Sequence, residues 1–382
     1  MDLDSLSTSS PLCRYIDGVF ELSIDGQNPF DLSVRSDLAL DTTSENYHYQ
    51  ILPLVKKDLK ESDICEVLDA KSRERIGWIM PANALSSKEH DFAENKHFLR
   101  YAYVAIREVL LKHRSTYQQR ALEAITLGER SMPFSDLFHN NESFLVICLE
   151  LVDEKFSFDR VLPSLISLGY LPRTVCAPEN VKWRGQPVEP NETRLLLWQT
   201  GSAVSNPELP ARLFELAATS GESAVVNFFL LYQVVELLLE EVFRTLMPPI
   251  GMAVMKSIEE ERFSDLRDLL RTAGTRVSEK ARLEALMQSF QGGSVAITDL
   301  STSAKEFLRQ VGENPSEGIL AVYAVRNYVV HQARNVPVTA TSALADTVAS
   351  LSTFLPQLLA GYKALALERP PSTQRGRHLA SR

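Results

Sequence analysis

The chain has 382 residues, 45% of them hydrophobic and 23% charged, with a formal net charge of −9. At roughly 100–200 residues per domain that length suggests two or three domains, and the composition is that of an ordinary folded chain. The acidic balance excludes a broad coat for long nucleic acid, whose proteins are usually basic over a wide face, but it leaves room for a narrow cleft where a few arginines grip one phosphate.

In chain order, Met1 to Ser10 carries Asp2 and Asp4 and no basic stretch followed by an apolar one, so no secretory leader is expected. Residues 11–80 read as β-rich. Arg14 to Ile24 places aromatic and branched residues around an Asp17-Gly18 turn, with a second turn at Asp25-Gly26. Tyr47 to Val55 partly alternates, with Pro53 marking an edge or an end, and Ile64 to Leu68 with Ile76 to Met80 flank a charged stretch as a hairpin would. Residues 92–128 show helical spacing at Tyr101, Val104, Ala105 and Leu111. Lys112, His113 and Arg114 read as the basic last turn that suits the helix dipole. Ser143 to Val152 is a short apolar run, read as a buried strand. Phe158 to Leu168 reads as a helix ended by Gly169, and Thr193 to Thr200 as another strand.

Small residues and two prolines cluster at Gly201 to Pro210, the clearest boundary in the chain. Beyond it every periodic segment is helical: Ala211 to Thr219, Ser223 to Met247, Ile258 to Ala273, Ser278 to Phe290, Ser303 to Val311, Glu317 to Arg334 and Thr339 to Ala366. Pro248-Pro249 is expected to stop the long helix, and Gln291-Gly292-Gly293 to punctuate another. The expected fold is therefore α+β: a mixed α/β part over 1–200, of undetermined topology and suited to sensing or recruitment, an all-α part over 207–366, and a disordered Pro-, Ser- and Arg-rich tail over 367–382. The most apolar stretch, Ala224 to Leu239, carries Asn227, Gln233 and Glu236, so it reads as a buried helix and not a membrane span. Cys13, Cys65, Cys148 and Cys176 form no C-x-x-C pair and have no His at ligand spacing. They read as free thiols of a cytoplasmic protein, with no metal or other cofactor expected.

The remaining polar candidates carry little chemistry. His48 and Tyr49 read as surface residues, and His90 and His97 with Asp91 and Glu94 as poor metal ligands. Asp153-Glu154 and Glu259 to Glu261 read as solvated charge, and Trp78, Trp183 and Trp198 as packing. No glycine-rich phosphate loop is present.

Gly318 to Gln332, GILAVYAVRNYVVHQ, is different. Its apolar residues predict a largely buried helix, yet it also carries Arg326, Asn327 and His331, which buried helices rarely hold unless those groups are satisfied or used. Asn327 and His331 are four apart and stack on one side. Arg326 is offset from His331 by roughly 140° at 3.6 residues per turn, within reach of a long side chain. A histidine that moves protons near neutral pH and a guanidinium matched to phosphate oxygens suit RNA cleavage by internal attack of the 2′-hydroxyl, which needs no metal. One histidine does not easily serve as both base and acid, so a symmetric dimer would bring two Arg/His sets to one cleft.

The Arg326-Asn327-x-x-x-His331 pattern near the end of an all-helical region resembles the R-x(4–6)-H motif of HEPN domains, in which Asn, Asp or His commonly follows the arginine. The upstream segment Asn227 to Glu241, with Tyr232 and Glu236 four residues apart, resembles the first long helix of that domain. The likeness covers roughly residues 207–366, and nothing in 1–200 shares it. It implies a metal-independent endoribonuclease acting on RNA as a homodimer, of the kind found in toxins and anti-phage abortive-infection effectors. It also implies that Arg326 and His331 are the catalytic pair, Asn327 their polar neighbour, and Glu236 a supporting acid beside Tyr232. An antitoxin or regulatory partner would act through residues 1–200. The competing reading is an inert dimerisation or binding module in which Arg326 merely pairs with Glu236 or Glu317 and His331 sits satisfied at a helix end.

Overall fold

The alternating and continuous apolar runs of the first half become ten strands, and the 3.6-residue patterns become ten helices, among the residues described by a computed structural model: 13–16, 18–22, 30–38, 48–185, 193–221, 223–290 and 294–363. The first 10 residues, the Asp25-Gly26 turn, the Gln291-Gly292-Gly293 punctuation and the tail from Glu368 lie outside that description. In chain order come β1 (Cys13–Ile16), β2 (Val19–Leu22), β3 (Phe30–Ser33), β4 (Tyr49–Val55), β5 (Cys65–Asp69), β6 (Arg75–Pro81), α1 (Lys96–Lys112), α2 (Arg114–Thr126), β7 (Ser131–Pro133), β8 (Glu142–Cys148), α3 (Phe158–Ser167), β9 (Leu171–Pro172) and β10 (Arg194–Leu197). Then follow α4 (Glu208–Thr219), α5 (Ala224–Glu259), α6 (Phe263–Arg276), α7 (Glu279–Ser289), α8 (Ser294–Gln310), α9 (Ile319–Gln332) and α10 (Thr341–Gly361).

The strands form two sheets, one of four strands in the order β1-β2-β3-β7 and one of six in the order β10-β5-β6-β8-β4-β9. β5 and β6 pair antiparallel, as the hairpin reading expects, and β10 adds to β5 in parallel. Pro53 lies within β4, next to the sheet edge, where only the two-residue β9 covers the strand. β8 is buried at every position. Its Phe144, Val146 and Cys148 join the core shared with Trp78, Phe98 and α1, while Leu145 and Ile147 join the core shared with α3, α4 and α5. This is the period-2 geometry of a strand covered on both faces.

The second core does not stop at Gly201 to Pro210. It runs from Leu54, Val67 and Leu145 through Val161 and Leu165 to Phe214, Phe228, Leu231, Leu355 and Tyr362. The segment marks a change of secondary structure while the apolar packing continues across it, and Gly201 N–H donates to Leu359 O at 3.0 Å.

Four helical expectations need correction. Residues 92–128 form two helices, because His113 leaves helical geometry (φ −114°, ψ 44°) between α1 and α2. The prolines at 248 and 249 do not end α5, which continues to Glu259. The carbonyls they orphan, those of Arg244 and Thr245, lie on a stretch exposed or half-exposed to solvent, where water replaces the missing N–H donors. Ile258 accordingly belongs to α5, and the break falls at Glu261, with φ +53°. α8 begins at Ser294, nine residues ahead of the expected Ser303.

α10 with its leading turn, Val338–Gly361, is long and apolar enough to cross a membrane by composition alone, but 67% of its apolar window is buried inside the fold, as in a core helix. Cys65 and Cys148 are buried and Cys176 half-buried, all as free thiols. Trp78 is fully buried, and Trp183 packs on the second core with its indole N–H donating to Ile166 O at 2.7 Å.

Gly77 sits opposite Val67 on one side and Ile147 on the other. A Cβ there would lie 2.1 Å from Val146 O and 2.9 Å from Ile147 Cδ1, so a side chain forces β6 away from β8. Gly77→Val is expected to lower stability by more than about 2 kcal/mol, read as a shift in the urea midpoint. An unchanged midpoint would mean the two strands tolerate separation.

Candidate functional site

Asn327 and Arg326 lie midway along α9, whose Val322, Val325 and Val329 are buried in the second core. That packing fixes the rotation of the helix and leaves Arg326 at its border with α5 and α7. The Arg326 side chain is 25% exposed. Its Nη2 donates to Glu236 Oε1 at 3.1 Å, its Nη1 donates to Asn327 Oδ1 at 3.2 Å, and Nη1 lies 4.0 Å from Glu279 Oε2. The planar group also sits 5.8 Å from the centre of the Tyr232 ring, within cation–π range. Burial works to lower the arginine pKa; the Glu236 hydrogen bond and the charges of Glu279 and Glu236 overcome it and raise it.

Tyr232 is the buried side of this network. It stacks on Phe228 with ring centres 5.9 Å apart, and its hydroxyl donates to Glu279 Oε1 at 3.3 Å. Burial first, and then the negative charge of Glu279, hold the phenol protonated well above its ordinary value of 10.0. Tyr232 and Glu236 share a face of α5 because they are four residues apart, as the sequence pattern anticipates.

The structure thus brings together four of the five expected residues: Arg326, Asn327, Glu236 and Tyr232. His331 stands apart from their hydrogen bonds. It lies one turn beyond Asn327, exposed in the last turn of α9, with no hydrogen bond or ion pair to the described residues. The exposed Val330 (40%) precedes it, and Val338 (91%) follows α9. Glu317, the other acid considered for Arg326, pairs with Lys305 instead.

Glu279 is the member that sequence reading missed. It opens α7 directly after the Ser278 cap, where an acid has a sufficient local reason in the helix dipole. Its partners Tyr232 and Arg326 are 47 residues away in each direction, so only the tertiary fold reveals its role. Among the described residues no group of three or more His, Cys, Asp or Glu is placed to hold a metal ion. His48 is 62% exposed and pairs with Glu150.

A second polar place lies far along the chain, in a cleft of about 650 Å³ lined by Ser33, Glu61, Asn83, Ser86, Arg120 and Asp136, among others. Glu61 Oε1 and Ser86 Oγ are buried there without hydrogen-bond partners among the described residues.

Comparison with protein-family models, with curated proteins and with solved structures finds no match to this chain.

Removing the Tyr232 hydroxyl tests the network directly. Tyr232→Phe is expected to cost about 1.5–3 kcal/mol at neutral pH, the usual worth of a hydrogen bond to a charged acceptor. Because the folded-state pKa of Tyr232 is raised, its contribution is complete below the unfolded value near 10 and is lost as pH rises through the folded value. The variant should therefore lose less stability than the wild type above pH ~10, measured by denaturant titration across that range. Parallel alkaline profiles would remove Tyr232 from the network.

Proposed function

We propose that this chain is a metal-independent endoribonuclease of the HEPN type, working as a homodimer in which Arg326, Asn327 and His331 of two copies form one composite site. The observation that carries the reading is the division of labour along α9. Arg326 is held by Glu236 and Asn327 beside Glu279, while His331, on the same helix, faces solvent without a partner. A positioned guanidinium and an unengaged imidazole are the two groups that internal phosphodiester cleavage requires.

In the proposed step the ribose 2′-oxygen attacks the adjacent phosphorus. The O2′–P bond forms, the P–O5′ bond breaks, and the ends are a 2′,3′-cyclic phosphate and a 5′-hydroxyl. Neutral His331 of one copy takes the 2′-hydroxyl proton, and the protonated His331 of the second copy gives a proton to the departing 5′-oxygen. Arg326 opposes the negative charge that builds on the pentavalent phosphorus. Asn327 positions the ribose or the imidazole one turn away. Val330 and Val338 supply exposed apolar surface beside His331 for the second copy. The resemblance of the motif adds the cellular reading, a toxin or anti-phage effector restrained through residues 1–200 or by a partner.

One observation favours an inert binding or dimerisation module instead. Arg326 already has Glu236 and Glu279 beside it, which is also how an arginine that only joins helices is satisfied.

Purified full-length protein incubated with total RNA in excess EDTA tests the two readings. Cleavage leaving cyclic phosphate ends is expected, reduced at least about 100-fold in His331→Ala and in Arg326→Ala, with unchanged circular dichroism. Cutting that survives both substitutions overturns the site, and no cutting by the wild type means an inert module or an enzyme still restrained through residues 1–200 or a partner.

A further inference from the structure

Among the described residues Arg282, beside the Arg326 network, forms no ion pair and no side-chain hydrogen bond. It lies on α7, three residues after Glu279, so the two side chains are neighbours at roughly 5–6 Å between Cβ atoms. Its guanidinium carbon sits 5.6 Å from the centre of the Phe243 ring. Phe243 follows Tyr232 and Glu236 at helical spacing on α5, so the three share one stripe, from which Tyr232 meets Glu279 and Phe243 meets Arg282 on α7. Arg282 and Arg326 therefore both neighbour Glu279, which lies 4.0 Å from Arg326 Nη1 and three residues before Arg282 on α7.

The two arginines are treated differently. Arg326 is bound to Glu236 and Asn327 and lies near Glu279. Arg282 Nε is buried and has no hydrogen-bond partner, and no carboxylate of the described residues forms an ion pair with it. Buried donors in folded proteins are almost always satisfied, and an unsatisfied one calls for an explanation. A guanidinium held on an aromatic face, whose Nη donors have no hydrogen-bond partner among the described residues, is suited to a phosphate group.

We propose that Arg282 is an anion-binding subsite that takes a phosphodiester of a single-stranded RNA further along the strand from the one held at Arg326. This rests on the nuclease reading for the identity of the strand, while the anion site itself follows from the unpaired guanidinium. It assigns the two arginines separate tasks. Arg326, restrained by carboxylates, acts on the reacting phosphate, and Arg282 holds the chain in register.

The test is fluorescence anisotropy of a labelled 12-nucleotide RNA on full-length protein carrying His331→Ala, alone and combined with Arg282→Gln or Arg282→Lys, from low to moderate salt. Arg282→Gln is expected to weaken binding about tenfold and to reduce the slope of log K against log salt by about 0.7, the share of one phosphate contact on a single strand. Arg282→Lys should restore the slope and part of the affinity. Inorganic phosphate in the tens of millimolar should compete with RNA on the arginine protein and much less on the glutamine variant. Thermal melting confirms that each variant is folded; Arg282→Met, which keeps the apolar stem, replaces Gln if that variant fails. Unchanged affinity and slope overturn the proposal, as does no RNA binding by the parent protein. The two readings separate cleanly. Arg282-dependent binding without any cleavage by the wild type keeps the subsite and leaves the nuclease without support. Cleavage that needs His331 but is indifferent to Arg282 in KM and kcat keeps the nuclease and removes the subsite.

Discussion

The architecture depends on one constraint, that the six-stranded sheet is buried on both faces. β8 shows it most directly, with Phe144, Val146 and Cys148 packed into one core and Leu145 and Ile147 into the other. A strand in that position can be neither shifted by one residue nor exposed, because a single slip exchanges its two faces. The core under Leu145 and Ile147 is continued by α3 and α4 and then by Phe228, Leu231 and Val235 of α5. Through that chain of contacts the sheet sets where α5 lies and which of its faces is left for α7 and α9. The Glu236–Arg326 pair is a consequence of this packing, since neither half-exposed side chain is buried enough to fix a helix by itself.

What was legible in the sequence was local. The β8 run, the α3 helix with Gly169 at φ +90°, the β5–β6 hairpin and the mixed polar and apolar character of α9 each carry their own signal within a dozen residues. The four-stranded sheet was not legible. It closes by pairing the three residues of β7 with β3 about a hundred positions earlier, and β10 joins β5 in parallel across a similar gap. α5 misled for a different reason. Two successive prolines are strong helix breakers in a dry interior, but their cost falls when the freed carbonyls face water, and exposure at 244–249 is a property of the fold. In the site the same division holds. Tyr232, Glu236, Arg326, Asn327 and His331 were found by pattern, whereas Glu279 and Arg282 acquire meaning only when α7 is laid against α5.

The electrostatics of the groove turn on how completely Arg326 is engaged. A guanidinium carries five N–H donors in a fixed fork, and its hydrogen bonds here use one to Glu236 and one to Asn327. The remaining donors have no hydrogen-bond partner among the described residues. Pairing and function are thus compatible: a carboxylate that orients one edge of the fork leaves another edge for a phosphate, with little reorganisation when charge develops. The opposing consideration is charge. Glu236 and Glu279 together outweigh the single positive charge of Arg326, and an anion entering that corner meets net repulsion.

Arg282 changes that balance. With it, the neighbourhood of Glu279 holds two cations and two carboxylates. They are arranged so that the engaged cation lies between the acids and the unengaged one lies a turn away on Phe243. On the proposed reading a polyanionic strand would meet favourable charge first at Arg282 and reach Arg326 once held. In a chain whose net charge is −9, broad electrostatic attraction cannot gather RNA. Local order of this kind, with one free guanidinium ahead of one restrained guanidinium, is how an acidic protein can still bind a phosphodiester at a chosen place.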